Sequence, residues 1–279
     1  MSSYINFNGS IIPGDQKLVT VDNRGFKYGD GLFETIKVTE NAICLADYHF
    51  ERLFSSMQIL QFDIPDFFTP ENISNQILSL CKKNNHEESA RVRINIFRGD
   101  GMLFESEKNS PNYTIQTEKL SDRSFVFKEK GLITDLFTEG RKSCDKFSNI
   151  KTNSFLIYAM AALHAKKNLL DDCLILNSHE RICECTIANV FCIKDKIIYT
   201  PSLSEGCVSG VMRRFIAEKI IGRNFLFKET TLSLENIEQA DEVFLTNSIF
   251  GIRWVKEFGK IKYDNSFTRE IFECVFETR

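Results

Sequence analysis

Cys173-Leu174-Ile175-Leu176, Ile182-Cys183-Glu184-Cys185-Thr186 and Val190-Phe191-Cys192-Ile193 follow one another along the chain. They are separated by Asn177-Ser178-His179-Glu180 and by Ile187-Ala188-Asn189. Short apolar runs between turn formers read as strands, and Ile197 to Thr200 adds another beyond Lys194-Asp195-Lys196. The spacing predicts a strand meander. Glu184 is the exception inside it: a carboxylate on the core side of such a strand must find a cation or a strong donor, because an unpaired buried charge is costly.

Moving outward, Gly206-Cys207-Val208-Ser209-Gly210 leads into a helix that starts after Gly210. Val243 to Leu245 supplies a strand, and a helix from about Phe267 closes the chain. Toward the N-terminus, Lys151 to about Lys167 reads as a helix with Phe155, Tyr158, Ala162 and Ala165 near one face. The polar stretch Lys119 to Arg123 is the candidate link between two domains. Before it strands and helices alternate. Residues 4 to 7, 17 to 21, 32 to 38, 91 to 96 and 113 to 117 read as strands, with Gly29-Asp30-Gly31 and Arg98-Gly99-Asp100-Gly101 as turns. A helix from about Asp47 carries Phe50, Leu53, Met57 and Leu60 as its buried stripe, which leaves the head of Arg52 to reach something polar. Thr69-Pro70 caps another, with Ile73, Ile77 and Leu80 facing inward.

The 279 residues allow one large domain or two small ones, and 43% hydrophobic with 26% charged residues is an ordinary globular balance. With 35 Lys+Arg against 38 Asp+Glu and no dense basic run, bulk charge does not recruit nucleic acid. No apolar run approaches the ~20 residues that cross a bilayer, and Met1-Ser2-Ser3-Tyr4 lacks a signal-peptide pattern, so a cytoplasmic protein is expected. The nine cysteines form no CxxC pair and the four histidines lie far apart, so no metal site is expected.

Three features point together to one chemistry. Lys151, after Ser148-Asn149-Ile150, taken alone is a lysine facing water. Glu184 suits a protonated pyridine nitrogen. The glycine-bounded turn Gly206 to Gly210 opens a helix whose unbonded N–H groups and dipole favour a phosphate, although it lacks the Gly-Lys-Ser/Thr ending of a P-loop. An amine, a buried carboxylate and a phosphate grip are the needs of pyridoxal 5′-phosphate: the lysine forms the Schiff base, and the carboxylate keeps the ring an electron sink.

The chain resembles the class IV aminotransferases, the fold-type IV pyridoxal phosphate enzymes. Arg24-Gly25-Phe26-Lys27-Tyr28-Gly29-Asp30-Gly31-Leu32-Phe33-Glu34-Thr35 is similar to the family's opening motif, and His49-Phe50-Glu51-Arg52-Leu53-Phe54-Ser55-Ser56 to its His-x-x-Arg-Leu-x-x-Ser helix. Ile150-Lys151-Thr152 resembles the Schiff-base motif and Glu184 to Phe191 the pyridinium-partner segment. Thr200-Pro201-x-Leu203 with Gly210-Val211-Met212-Arg213 resembles the phosphate turn. The resemblance implies a mixed α/β (α+β) fold of two domains with the cofactor in the cleft between them: residues 1–118, a linker at 119–125, and a cofactor-binding domain at 126–279. It implies Lys151 as the catalytic lysine, Arg52, Glu184, Val211, Met212, Asn247 and Ser248 as cofactor contacts, and Tyr28 and Arg98 as substrate contacts. For Arg98 a turn residue paired with Asp100 or solvent is the equal alternative, and Asp30 and Glu34 can equally be structural. A small amine or amino acid is the implied substrate and a homodimer the implied assembly.

Within the family, Gly210-Val211-Met212-Arg213 and Ala240-Asp241-Glu242-Val243-Phe244-Leu245-Thr246-Asn247-Ser248 are closer to the aminodeoxychorismate lyases than to the D-amino-acid or branched-chain aminotransferases. Against this, Ser154 and Phe155 replace the lyases' Asn-Arg, and Ile252-Arg253-Trp254-Val255 departs from the usual pocket segment. Trp254 can also be simple core packing. A non-catalytic relative of the same fold is the remaining alternative, which intact Lys151 and Glu184 oppose.

Overall fold

The computed structural model of the chain describes residues 4–104, 109–221, 223 and 225–276. Met1, Ser2 and Ser3, used above in judging a leader, lie outside the described residues. Among the described residues no helix is long and apolar enough to cross a membrane. The chain divides into two compact units: Met1–Ser124 with Ile150–Phe155, and Phe125–Asn149 with Leu156–Arg279.

The first unit is a six-stranded antiparallel sheet in the order β2-β1-β6-β5-β3-β4, with three helices. The strands are β1 Tyr4–Phe7, β2 Ser10–Pro13, β3 Gly31–Thr39, β4 Ala42–Ile43, β5 Ser89–Arg98 and β6 Pro111–Lys119. The helices are α1 Arg24–Tyr28, α2 Ala46–Ile59 and α3 Pro70–Lys83. Side chains alternate faces along a strand, so Leu32, Ile36 and Val38 of β3 and Val92, Ile94 and Ile96 of β5 enter one core. Leu53 and Met57 of α2 and Ile73, Ile77 and Leu80 of α3 close that core from above. Each such side chain contributes about 1.5–3 kcal/mol when fully buried. Thr69 caps α3 by accepting from Asn72 N–H. Residues 17–21, expected as a strand, are not one. Val19 and Val21 are exposed rather than half-buried, and the partner of β1 is instead β2, joined to it by a tight turn.

The second unit is a nine-stranded mixed sheet in the order β12-β11-β10-β13-β14-β7-β8-β9, with β15 paired to β14. Its strands are β7 Leu132–Lys142, β8 Asp172–Asn177, β9 Ile182–Cys185, β10 Asn189–Lys194, β11 Ile197–Pro201, β12 Leu226–Thr230, β13 Glu242–Asn247, β14 Gly251–Phe258 and β15 Ile261–Lys262. Its helices are α4 Leu156–Lys167, α5 Val211–Ile220, α6 Leu234–Glu238 and α7 Ser266–Phe276. β8 and β13 are buried on both faces, which is why they read as continuous apolar runs.

The expected meander breaks between β9 and β10. β9 ends the sheet beside β8, while β10 pairs with β11 and β13. The sequence shows successive strands but not their pairing, and here a tight turn closed by Cys185 N–H to Ala188 C=O sets β10 beside β9 without a ladder between them. The helix expected from Lys151 begins only at Leu156. Residues 150–155, expected within the second domain, lie with the first unit. Phe33 N–H donates to Lys151 C=O and Asn153 N–H to Gly31 C=O, which ties the segment to the start of β3.

Candidate active site

In the first unit Lys151 is held by its backbone bond to Phe33, and its Nζ lies 4.5 Å from the centroid of the Phe33 ring and 5.9 Å from that of Phe155. The two rings meet edge to face at 5.4 Å, giving the amine an aromatic wall. Arg93 packs its guanidinium on the same Phe33 ring at 3.7 Å. Arg93 bonds Asn95 Oδ1, and among the described residues it forms no ion pair. Burial, followed by the charge of Arg91, lowers its pKa, so an anion beside it would relieve a strained cation.

Off the buried stripe, the head of Arg52 reaches a polar partner: Nε and Nη2 donate to Glu34 Oε1 and Oε2, both at 2.7 Å. Glu34 points from β3 into the core between Leu32 and Ile36, and it also receives His49, whose Nδ1 is 2.8 Å from Oε2. Burial alone would raise the Glu34 carboxyl, but the Arg52 charge and the His49 hydrogen bond outweigh it and hold the group at about 2. Burial lowers His49, so its ring is neutral and Nδ1–H is the donor. Glu34 therefore fixes the plane of the Arg52 guanidinium, which with five donors can bond this carboxylate and still address a phosphate. Its inward position in β3, among alternating apolar residues, was the signal for this part.

Arg98 takes the structural alternative, with a different partner from the one expected. Its Nη1 bonds Asp30 at 2.6 Å, Nε bonds Asn109 and Nη2 bonds the Leu60 and Gln61 carbonyls, while Asp100 accepts from Thr20 instead. Asp30 also pairs with Arg24, so this cluster braces the end of α1, where Gly29 turns at φ +65°. Tyr28 is 42% exposed, so its hydroxyl can reach a ligand.

In the second unit Glu184 lies on β9 at 3% exposure. Its Oε1 receives Lys142 Nζ, from the end of β7, and Tyr158 Oη at 2.7 Å, from α4; its Oε2 receives the Val208 N–H at 3.0 Å. Neither Lys142 nor its strand was legible as part of the site. The 207–210 turn is pinned by two asparagines. Asn149 donates to the Leu203 and Cys207 carbonyls and Asn189 to that of Val208. A Cβ on Gly210 would sit 1.8 Å from Asn189 Oδ1, so only glycine lets the turn approach this closely. Val211 and Met212 then begin α5, where first-turn N–H groups have no acceptor within the helix. Gly210→Ala is expected to weaken phosphate-dependent cofactor binding by about tenfold or more, which titration of the cofactor-free protein measures.

Asn247 closes the turn between β13 and β14. Its Oδ1 accepts from Ile249 and Phe250 N–H and its Nδ2 donates to Ile187 C=O; Ser248 beside it is half-buried. Arg253 and Trp254 donate to the Lys130 and Lys128 carbonyls, so both brace that neighbouring segment. Among the described residues no group of three or more His, Cys, Asp or Glu could hold a metal.

The sequence model of the family "Amino-transferase class IV" matches residues 31–258. The chain belongs to the class IV aminotransferases. It is therefore a pyridoxal phosphate-dependent enzyme of mixed α/β fold. Among its relatives, the aminodeoxychorismate lyase of Vibrio harveyi is 28% identical over 85% of this chain and 86% of its own length. The D-alanine aminotransferase of Staphylococcus haemolyticus is 27% identical over 86% of this chain and 84% of its own. The branched-chain aminotransferase of Thermoproteus uzoniensis has the same fold, with a TM-score of 0.86 at 21% identity over 98% of this chain and 93% of that one.

The residues of this class IV aminotransferase fit the cofactor. In the first unit stand a primary amine and a guanidinium; in the second, a buried carboxylate and helix N–H donors behind a glycine that no other residue could replace without displacing Asn189.

Proposed function

We propose that the chain is a 4-amino-4-deoxychorismate lyase, forming p-aminobenzoate and pyruvate for folate synthesis. The observation that carries this reading is Met212. At 1% exposure its side chain packs into the core, so α5 offers a phosphate its backbone N–H groups, with methionine where the Gly-Ile-Thr-Arg usual among branched-chain enzymes has threonine. The likeness to the Vibrio harveyi lyase supports it. Arg93 supports an anionic substrate, as a cation on the Phe33 ring that also carries Lys151 and, among the described residues, without an ion pair of its own.

When bound, pyridoxal phosphate supplies a carbonyl that links to amines and a protonated ring that accepts an electron pair. Lys151 would hold the cofactor through its amine and, once freed by the substrate's amine, would take the proton from the substrate carbon bearing the nitrogen. Glu184 keeps the ring nitrogen's proton in place. Arg52, set by Glu34, and the N–H groups of Val211 and Met212 hold the phosphate. Arg93 and Tyr28 orient the substrate carboxylate. In the lyase the ring of the substrate becomes aromatic as its enolpyruvyl ether bond breaks, and the proton ends on the methylene carbon that becomes the methyl of pyruvate. In an aminotransferase Lys151 would instead return the proton within the site, and with one water consumed the substrate would leave as a keto acid, its amino group staying behind.

The first unit supports a homodimer. Val21, Met102, Leu103 and Phe104, on loops tied together by Gly101 N–H to Asp22 C=O, and Phe26, on α1, are more than half exposed, and such apolar surface suits a second copy. The test of function is conversion of fresh 4-amino-4-deoxychorismate without added keto acid. Equal amounts of p-aminobenzoate and pyruvate are expected. No product, from protein whose cofactor absorbance bleaches with D-alanine, would make it an aminotransferase.

A further inference from the structure

The Lys142 ammonium is the unexplained charge of the second unit. It is 8% exposed, its Nζ lies 5.3 Å from the Tyr158 ring, and it shares Glu184 Oε1 with the Tyr158 hydroxyl. A carboxylate oxygen offers two lone pairs. Those of Oε1 are both taken, by Lys142 and Tyr158, whereas Oε2 is bonded by the Val208 N–H alone and keeps one lone pair.

We propose that Lys142 is a positioning residue that stays paired with Glu184 when the cofactor binds, so that one carboxylate serves two cations and the ring nitrogen is less firmly protonated than Glu184 alone would make it. This rests on Glu184 being the partner of the ring nitrogen. The ring nitrogen takes the remaining lone pair of Oε2, and nothing has to leave. Lys142 then has two effects of opposite direction. It pairs the buried Glu184 carboxylate, and its positive charge, on the far side of that carboxylate from a bound ring, opposes a second positive charge there.

The other titratable groups facing Glu184 do not add charge. Cys183, its neighbour on β9, and Cys207, in the turn, are pushed up by burial, Cys207 to about 12. Burial and then the Glu184 charge raise Tyr158. Arg213, on α5, acts on Cys207 but is paired with Glu229. Among the described residues Lys142 is the cation bonded to Glu184 that sets the balance.

The experiment loads the protein with pyridoxal phosphate labelled with 15N in the ring and follows that resonance with pH. In Lys142→Met the ring nitrogen should move toward the protonated position and titrate about 1 pH unit or more higher than in the wild type. Lys142→Arg, which keeps the charge, should restore the wild-type behaviour. Glu184→Gln should move the resonance the opposite way. If Glu184→Gln shifts it and Lys142→Met with bound cofactor does not, the role of Lys142 is overturned while that of Glu184 stands. If Glu184→Gln leaves it unmoved, the Glu184 assignment itself is wrong. Should Lys142→Met not fold, the wild type decides with 15Nζ-labelled lysine. The slowly exchanging ammonium signal that is missing in Lys142→Arg should persist after cofactor is added, and its loss would mean that the ring displaces Lys142.

Discussion

Lys151→Ala is expected to lower turnover by about 10⁴-fold or more, because one amine both carries the cofactor and moves the substrate's proton. Borohydride reduction followed by mass spectrometry should add the mass of the reduced cofactor to Lys151 of the wild type and nothing to the variant. The fold should be little affected. The side chain is half-buried on the Phe33 ring, and a cation–π contact of that kind contributes about 0.5–1 kcal/mol. A variant that keeps turning over at a comparable rate would remove Lys151 from the chemistry.

Glu34→Gln is expected to act on stability and on phosphate binding together. In the folded chain the carboxyl is held at about 2 against an ordinary 4.5. A depressed acid contributes stability above its unfolded pKa and loses it as the pH falls toward the folded one. The stabilisation is therefore complete at neutral pH, declines below about pH 4.5, and is gone near pH 2. It amounts to about 3 kcal/mol, similar to the cost of breaking a buried ion pair by removing one partner. Urea unfolding across this range should show the variant less stable by that amount at neutral pH and converging with the wild type in acid. With Arg52 no longer fixed, the affinity for pyridoxal phosphate should fall by about tenfold, whereas that for pyridoxal, which has no phosphate, should barely change. Equal losses for both would mean that Glu34 supports the fold alone.

The helices and strands were legible where one face is buried. The stripe of α2, the cap of α3 and the alternation in β5 follow from periodicities of 3.6 and 2 that each segment carries in itself. Residues 17–21 show the weakness of that signal. Their composition suits a strand, but no neighbouring strand takes them up, and β2 fills that edge instead. Likewise 151–155 has helical spacing but is drawn to β3 by backbone bonds, which delays α4 to Leu156.

The sequence by itself determined which residue types are available for the chemistry: Lys151, Glu184, Arg52 and a glycine-led helix start. It also determined the face that each strand and helix buries, because apolar spacing is a local property of the chain. The partners were decided by the tertiary structure alone. Lys142 meets Glu184 across 42 positions, Arg98 meets Asp30 across 68, and Glu34 holds Arg52 and His49 from a strand whose neighbours no local pattern names. A buried charge must be paired, so Glu184 required a partner from the outset. Which cation supplies it depends on strand order, and strand order is settled by the packing of the whole sheet.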